Sequence, residues 1–179
     1  MSKHIYILIG VLLMAGMSLM NPGVNQMKDT RSPVKAMYIY NFASLIDWPS
    51  EYRKGDFVIG VYGAKDGVYD NLKMKFEGRA IGSQEIKIQS YSSVGEISKA
   101  HILYITPTKS SQITSLSSKF KGKSTLLVTE KAGYLTKGAA INFVVKGTSQ
   151  KFEINKSTAK KHKLVITDRL LDLAISVVE

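Results

Sequence analysis

The sequence contains no cysteine among its 179 residues. This absence excludes disulfide bonds, thiolate ligands for metals and a cysteine nucleophile. It also excludes a bacterial lipoprotein, because a lipoprotein signal requires a cysteine. The fold must therefore be stabilised by its core, for which a hydrophobic content of 44% is sufficient.

Histidine is also scarce, and motifs for catalysis are missing. His101 begins an apolar stretch, and His162 lies among lysines on a predicted surface helix; both positions are typical of structural or solvated histidines. The chain has no His-x-His or His-Glu-x-x-His spacing for zinc and no Gly-x-Ser-x-Gly elbow for a serine hydrolase. We therefore expect no enzymatic activity, no metal and no cofactor.

A run of 16 uncharged residues, 5–20, follows a basic head at Lys3. A basic head and an apolar run are the two requirements of a secretory signal. The run is short for a transmembrane helix, which needs about 20 apolar residues. We predict that residues 1–20 are an export signal and that the folded part works in the periplasm. No clear Ala-x-Ala cleavage site precedes Asn21, so an uncleaved inner-membrane anchor is the alternative.

The formal net charge is +11, from 25 lysines and arginines against 14 aspartates and glutamates. Such a balance is typical of proteins that bind nucleic acid, anionic lipid or an acidic protein. Nucleic acid is the least expected of these partners outside the cytoplasm. The lysines are also spread along the chain, as on a solvated surface. We therefore expect no nucleic-acid partner.

The first predicted helix follows a polar segment, 21–32, that we interpret as a tether of low order. Ser32 and Pro33 form a typical helix start. Apolar residues then recur at a spacing of three to four as far as Asp47, which predicts an amphipathic helix. Trp48, which precedes a proline, ends it.

Strands and helices then alternate along the chain, which favours a parallel sheet with helices on both faces. The predicted strands are 57–62, 85–91, 101–105 and 124–129, and the predicted helices between them are 66–76, 94–99 and 109–120.

The C-terminal part departs from this alternation. Segments 139–145 and 150–155 flank a short glycine-containing loop, as in a β-hairpin. A basic helix, 156–163, and a final helix after Thr167 and Asp168 complete the chain. We predict one α/β domain, 33–179, a three-layer α-β-α fold with a mostly parallel sheet plus a C-terminal antiparallel hairpin.

Taken in order, these motifs resemble the YfiR-like family over about residues 33–178. The resemblance is carried by the segments Val34–Phe42, Trp48-Pro49, Phe57–Gly63, 101–105, Gly138–Phe143, Phe152-Glu-Ile-Asn155 and Leu164–Ala174.

The resemblance implies a non-enzymatic periplasmic regulator with an α/β fold. Its implied partner is a membrane signalling protein, a diguanylate cyclase or a histidine kinase, bound through the periplasmic part, and a homodimer is also implied. A repressor of this family carries cysteines that form disulfides tied to stability and a redox response. This chain has none, so redox gating is not carried over.

Two functions remain open after this comparison of motifs. The leading hypothesis is a regulator that binds a membrane signalling protein through exposed positions of the first helix, such as Tyr38, and through the basic tail region. The alternative is a periplasmic small-ligand-binding module with a pocket near Gly63 and Asn142, because ligands in α/β sheets bind beyond the carboxyl ends of strands.

The candidate contact residues combine these hypotheses with the family motifs. Glu153 and Arg169 could pair with each other or lie at an interface, while Asn41 on an apolar helix face needs a hydrogen-bond partner if it is buried. The full set of candidate partner or ligand contacts is Tyr38, Asn41, Trp48, Gly63, Asn142, Glu153, Asn155 and Arg169.

Overall fold

The computed structural model describes residues 29–179. The predicted export signal, 1–20, and most of the predicted tether, 21–28, lie outside the described residues. The helices are α1 (Arg31–Leu45), α2 (Gly67–Phe76), α3 (Ile113–Phe120), α4 (Lys156–Lys161) and α5 (Asp168–Leu171).

The strands form an eight-stranded sheet and a separate pair of two-residue strands. They are β1 (Ile46–Asp47), β2 (Phe57–Tyr62), β3 (Ala80–Ile81), β4 (Gln84–Tyr91), β5 (Ile102–Ile105), β6 (Leu126–Thr129), β7 (Ile141–Lys146), β8 (Ser149–Asn155), β9 (Val165–Ile166) and β10 (Ser176–Val178).

Helix α1 begins earlier than the sequence pattern predicted. The Asp29 carboxylate accepts hydrogen bonds from the backbone N–H groups of Arg31 at 3.0 Å and Ser32 at 3.1 Å, which satisfies two donors that a helix start leaves unpaired. The helix ends at Leu45, where the chain becomes extended and β1 pairs antiparallel with β9. Trp48 is buried just beyond this point, and its Nε1 donates to Ala43 O at 3.0 Å.

The eight-stranded sheet has the order β10-β8-β7-β6-β5-β2-β4-β3. Strands β4, β2, β5, β6 and β7 run parallel, as do β8 and β10, whereas the β7–β8 and β3–β4 pairs are antiparallel. The sheet is therefore mixed, and the prediction of a mostly parallel sheet with one added hairpin is corrected. The hairpin itself is confirmed as β7–β8. The second antiparallel pair, β3–β4, arises because Gly82, with φ +59°, turns the chain back within two residues.

The end of the chain also differs from its prediction. The expected final helix stops at Leu171, and the following residues reach the sheet as β10. The sequence from Ile175 to Val178 is rich in β-branched residues, which favour extended backbone over helix. Pairing with β8 adds backbone hydrogen bonds that a short exposed helix would not gain.

Two apolar clusters lie on opposite faces of the sheet. Successive side chains of β5 alternate between them: Ile102 and Tyr104 belong to the larger cluster, under α1 and α2, and Leu103 and Ile105 belong to the smaller cluster, under α3. This alternation follows from the two-residue period of a strand. The buried central strands therefore hold both sheet edges, and the helices around them, in fixed positions.

Candidate functional site

Strand β10 forms one edge of the eight-stranded sheet. The N–H of Ile175 donates to Phe152 O at 3.0 Å as the chain enters the strand. Alternate residues of a parallel strand bond to the same neighbour, so every second residue of β10 has backbone groups that point away from β8. Within residues 29–179, no further strand pairs with β10. This edge therefore offers unpaired backbone donors and acceptors to an added strand.

The side chains around this edge are apolar and exposed. All three residues of β10 are exposed, and three large apolar side chains of the neighbouring segments are at least 40% exposed. Clustered apolar surface of this kind marks interaction sites. We name it the C-terminal apolar edge, and it comprises Val165, Leu173, Ile175, Val177 and Val178.

A basic rim borders the C-terminal apolar edge. The segment 156–163 carries four lysines and no acidic residue. A cleft of about 500 Å³ lies between this segment, β9 and the last residue, with Leu164 and Val165 supplying apolar lining. One rim lysine, Lys156, binds the Glu179 carboxylate at 2.7 Å. Both side chains are largely exposed, so this pair is weak and an acidic partner group could replace Glu179.

Three of the predicted contact residues lie on the strands behind this edge. Asn142 of β7 is opposite Glu153 of β8, and Glu153 is opposite Ser176 of β10, so these residues form one row across the sheet. Asn155 lies two residues beyond Glu153, opposite Val178. The structure thus brings Asn142, Glu153 and Asn155 together beside the C-terminal apolar edge.

Asn155 and Asn142 have structural hydrogen bonds. The Asn155 Oδ1 accepts from Thr158 N–H at 2.8 Å and caps α4, which fixes the start of the basic rim. Asn142 is buried, and its Oδ1 accepts from the Thr129 hydroxyl at 2.8 Å. Its Nδ2 has no partner among the described residues.

Glu153 and Arg169 do not pair. Arg169 is exposed on α5 and Glu153 is half-buried on β8. The ion pairs of the described region are Lys35–Glu130, Lys73–Glu77, Lys87–Glu85 and Lys156–Glu179. Both residues are therefore left available to other contacts.

The remaining predicted residues lie elsewhere. Tyr38 and Asn41 are half-buried on α1, and the Tyr38 ring packs edge-on against Phe152 with centroids 5.1 Å apart. The Trp48 ring packs against Phe57 at 5.2 Å. Tyr38 and Trp48 thus contribute to the interior, and neither reaches the C-terminal apolar edge.

Gly63 lies at the carboxyl end of β2 with φ +127°. A Cβ atom there would approach the Thr106 hydroxyl oxygen to 2.0 Å, so only glycine fits this turn. Its N–H donates to Tyr91 O at 3.0 Å. The immediate surroundings of Gly63 are therefore filled by protein atoms rather than open to a ligand.

Comparison with known proteins places these features in a family. Residues 32–175 match the sequence model of the YfiR/HmsC-like family. The chain belongs to the YfiR/HmsC-like family. No curated protein matches the chain. Family membership indicates a periplasmic regulator of diguanylate cyclase signalling, and the members are regulators with no known enzymatic activity.

Residues 29–179 lack two further kinds of feature. None of the helices there is long and apolar enough to cross a membrane. The same residues contain no group of three or more histidine, aspartate or glutamate side chains arranged to hold a metal ion.

Sequence reasoning missed a buried polar network beneath α1. The Lys35 ammonium forms an ion pair with Glu130, and the Tyr104 hydroxyl donates to the same carboxylate. Burial and the nearby Glu130 charge raise the pKa of Tyr104, so the phenol stays protonated. The sequence signal was Tyr104 inside an otherwise apolar strand, because a buried tyrosine hydroxyl needs a partner.

The two described histidines are structural, but His162 is buried rather than solvated as expected. His101 Nδ1 accepts from Val58 N–H at 3.0 Å and its Nε2 lies 2.7 Å from Tyr52 O, so the ring is held neutral with the proton on Nε2. Burial lowers the pKa of both histidines. Neither has the exposed partner that a general base requires.

Proposed function

We propose that this protein is a non-enzymatic periplasmic regulator that binds the periplasmic part of a membrane signalling protein. The partner is a diguanylate cyclase or a sensor kinase, and it docks on the C-terminal apolar edge. The observation that carries this proposal is the open strand β10, which is exposed on both faces and paired on one side only. The predicted export signal, residues 1–20, and the predicted tether ahead of α1 belong to the same proposal, since they would bring the domain to its membrane partner.

The chemistry of the edge specifies the segment that would dock there. Unpaired backbone groups on the outer side of β10 favour an extended segment that adds a strand. The apolar side chains of Ile175 and Val177 favour apolar residues at alternate positions of that segment. The basic rim favours acidic residues next to them.

Charge argues against a second copy of this chain as the main occupant of the edge. Pairing two β10 strands would bring two copies of the basic rim, each with four lysines, towards one another. The whole chain carries a net charge of +11, and like charges at an interface cost free energy. A homodimer through this edge is therefore the competing outcome of the test.

Site-specific photo-crosslinking in cells tests the proposal. A photoreactive residue replaces Val177 in the full-length chain, and the control chain carries it at Met74. Met74 is 75% exposed on α2, which contacts β4 near the opposite edge of the sheet. We expect Val177 to capture an inner-membrane protein with a cyclase or kinase domain, and Met74 not to capture it.

Other outcomes of the crosslinking contradict the proposal. Capture of a second copy alone would assign the edge to a homodimer. Equal capture at Val177 and Met74 would show that the contact is not specific to the edge. A functional measurement accompanies the crosslinking. Val177→Arg should change the cellular cyclic-di-GMP level or kinase output in the same way as deletion of the protein does, whereas Met74→Arg should have no effect.

The alternative function, a periplasmic small-ligand-binding module, has its own structural support. A cleft of about 350 Å³ lies beyond the carboxyl ends of the parallel strands, beside Lys35 and Glu130. This is the edge where open α/β sheets bind ligands, although the cleft does not include Gly63 or Asn142. The two functions are compatible, because the cleft and the C-terminal apolar edge involve different residues.

A further inference from the structure

The cleft beside α1 is separate from the C-terminal apolar edge. It lies between the first two turns of α1, the segment after β6 and the β7–β8 hairpin, and its volume of about 350 Å³ is in the range of small-molecule sites. The lining residues that matter for recognition are Arg31, Lys35, Glu130, Phe143, Val145 and Gln150.

The charges of this cleft favour an anion. Glu130 is already neutralised, since one carboxylate oxygen binds Lys35 and the other accepts from the Tyr104 hydroxyl. The Lys35 and Glu130 side chains are only 11% and 16% exposed, so they are held in place by the surrounding protein. Arg31 is exposed and forms no ion pair within residues 29–179. The side chains that line the cleft therefore carry two positive charges, on Arg31 and Lys35, against the one negative charge of Glu130, while the Asp29 and Asp66 carboxylates lie near Lys35 outside this lining. A guanidinium binds carboxylates in bidentate geometry.

One wall of the cleft is apolar and rigid. Phe143 is 2% exposed and packs against Phe42, with ring centroids 5.9 Å apart, and against Tyr38 at 6.2 Å. Val145 continues this wall and is 47% exposed. A ligand with an apolar chain would cover Val145 and remove that surface from water.

A second polar feature points to a ligand that also donates a hydrogen bond. Gln150 lines the cleft and is 8% exposed. Its Nε2 donates to Val144 O at 2.8 Å and to Lys151 O at 3.1 Å, which fixes the orientation of the amide. Its Oε1 is buried and has no donor among the described residues. An unpaired buried acceptor is costly, and a ligand hydroxyl would relieve that cost.

We propose that this cleft binds a small hydroxylated alkanoate. The carboxylate pairs with Arg31 and with the free N–H groups of Lys35, the alkyl chain lies on Phe143 and Val145, and the hydroxyl donates to Gln150 Oε1. This inference is independent of docking at the C-terminal apolar edge, because no residue is shared between the two sites.

Calorimetric titration of the purified exported protein with three matched probes tests this site. The probes are 3-hydroxyoctanoate, octanoate, which lacks the hydroxyl, and 3-hydroxyoctanamide, which lacks the negative charge. We expect 3-hydroxyoctanoate to bind at least tenfold more tightly than the amide and severalfold more tightly than octanoate. Equal affinities for the acid and the amide, or no binding of the acid, would overturn the proposal.

Two arginine variants locate the bound carboxylate. Arg31→Gln should weaken 3-hydroxyoctanoate at least tenfold, whereas Arg79→Gln removes an exposed arginine next to β3 and should leave the affinity unchanged. Both side chains are exposed, so neither change should unfold the protein. Equal weakening by both variants would mean attraction by net charge alone, and an unchanged affinity in Arg31→Gln would place the ligand elsewhere; either result contradicts the site.

Discussion

The two edges of the eight-stranded sheet differ in how their backbone groups are covered. At the other edge from β10, the two-residue strand β3 pairs with the start of β4, and further backbone groups of β4 are covered: the N–H of Ile88 donates to the Glu77 carboxylate at 2.7 Å, and the N–H of Ile86 donates to Arg79 O at 2.7 Å. The β10 edge has no comparable cover within the described chain and presents apolar side chains instead. Proteins usually protect an edge with charged residues or short extra strands. An edge left open beside a protected one is therefore best explained by a partner.

This comparison requires the strands between the edges to behave as one rigid unit, and Glu130→Ala is the strongest test of that requirement. The change would leave the Lys35 charge and the Tyr104 hydroxyl buried without their acceptor. We expect a loss of about 3–5 kcal/mol in the free energy of unfolding, measured by chemical denaturation. Hydrogen exchange should accelerate at both edges together.

Adding Lys35→Met to Glu130→Ala provides the control. This second change removes the unpaired buried charge, so part of the lost stability should return. If the double variant is less stable than Glu130→Ala, the loss does not come from an unpaired lysine. If exchange accelerates at one edge only, the sheet does not unfold as one unit and the comparison of its edges fails.

Glu77→Ala should convert the protected edge into an open one. The Ile88 N–H loses its acceptor and Lys73 loses its partner at 3.0 Å. We expect the free energy of unfolding to fall by about 1 kcal/mol and self-association to increase, as followed by light scattering. Glu77→Gln is the matched control, because its amide oxygen still accepts from Ile88. Similar association in both variants would show that the negative charge, and not the backbone contact, protects this edge.

Acid should lower the free energy of unfolding through the two buried histidines, which lie towards opposite edges of the sheet. His101 binds Tyr52 O in the 52–55 loop, which also contacts Gln84 of β4. His162 lies directly after α4 and is a buried residue of the basic rim. Both pKa values are lowered by burial, so the unfolded state takes up more protons than the folded state below the ordinary histidine pKa of about 6.5. Stability should be complete above about pH 6.5 and decrease as the pH falls below it.

Denaturation midpoints between pH 7.5 and 5 measure this dependence. His101→Gln should be less stable at every pH, because it disturbs the contacts to Val58 and Tyr52, but its stability should change less with pH. His162→Gln should reduce the dependence likewise. A dependence that is unchanged in both variants would mean that carboxylates alone cause the acid effect.

Much of the fold was predictable from local patterns. The run Phe57–Tyr62 is a strand with the predicted bounds because its continuous apolar sequence suits a strand buried on both faces. The hairpin β7–β8 was predicted from its loop. Strand β10 was not predictable, because Leu170, Leu171 and Leu173 also suit a helix that continues to the end of the chain. Only pairing with β8 selects the extended conformation of 176–178. Pairing between distant segments is the information that a local pattern lacks.

The candidate site was predictable only in part. Asn155 was a candidate contact, and its side chain caps α4 by accepting a hydrogen bond from Thr158 N–H at 2.8 Å. Asn142 and Glu153 were separate candidates from separate motifs, and their row beside the exposed end of the chain depends on strand register. The Lys35–Glu130 pair joins residues 95 positions apart, and no spacing rule connects them.

Val177→Lys should have the smallest effect on stability and the clearest effect on docking. The Val177 side chain is already 40% exposed, so we expect a change within about 0.5 kcal/mol in the free energy of unfolding. A lysine on an edge strand opposes strand addition, and it adds to the basic rim. Capture by a photoreactive residue at Ile175 should therefore fall sharply, while denaturation curves overlay those of the parent protein. A large loss of stability would show that β10 belongs to the core, and undiminished capture would place the partner elsewhere. Glu77→Ala alters the fold at the protected edge and Val177→Lys alters binding at the open one, so together they distinguish an edge kept for stability from an edge kept for a partner.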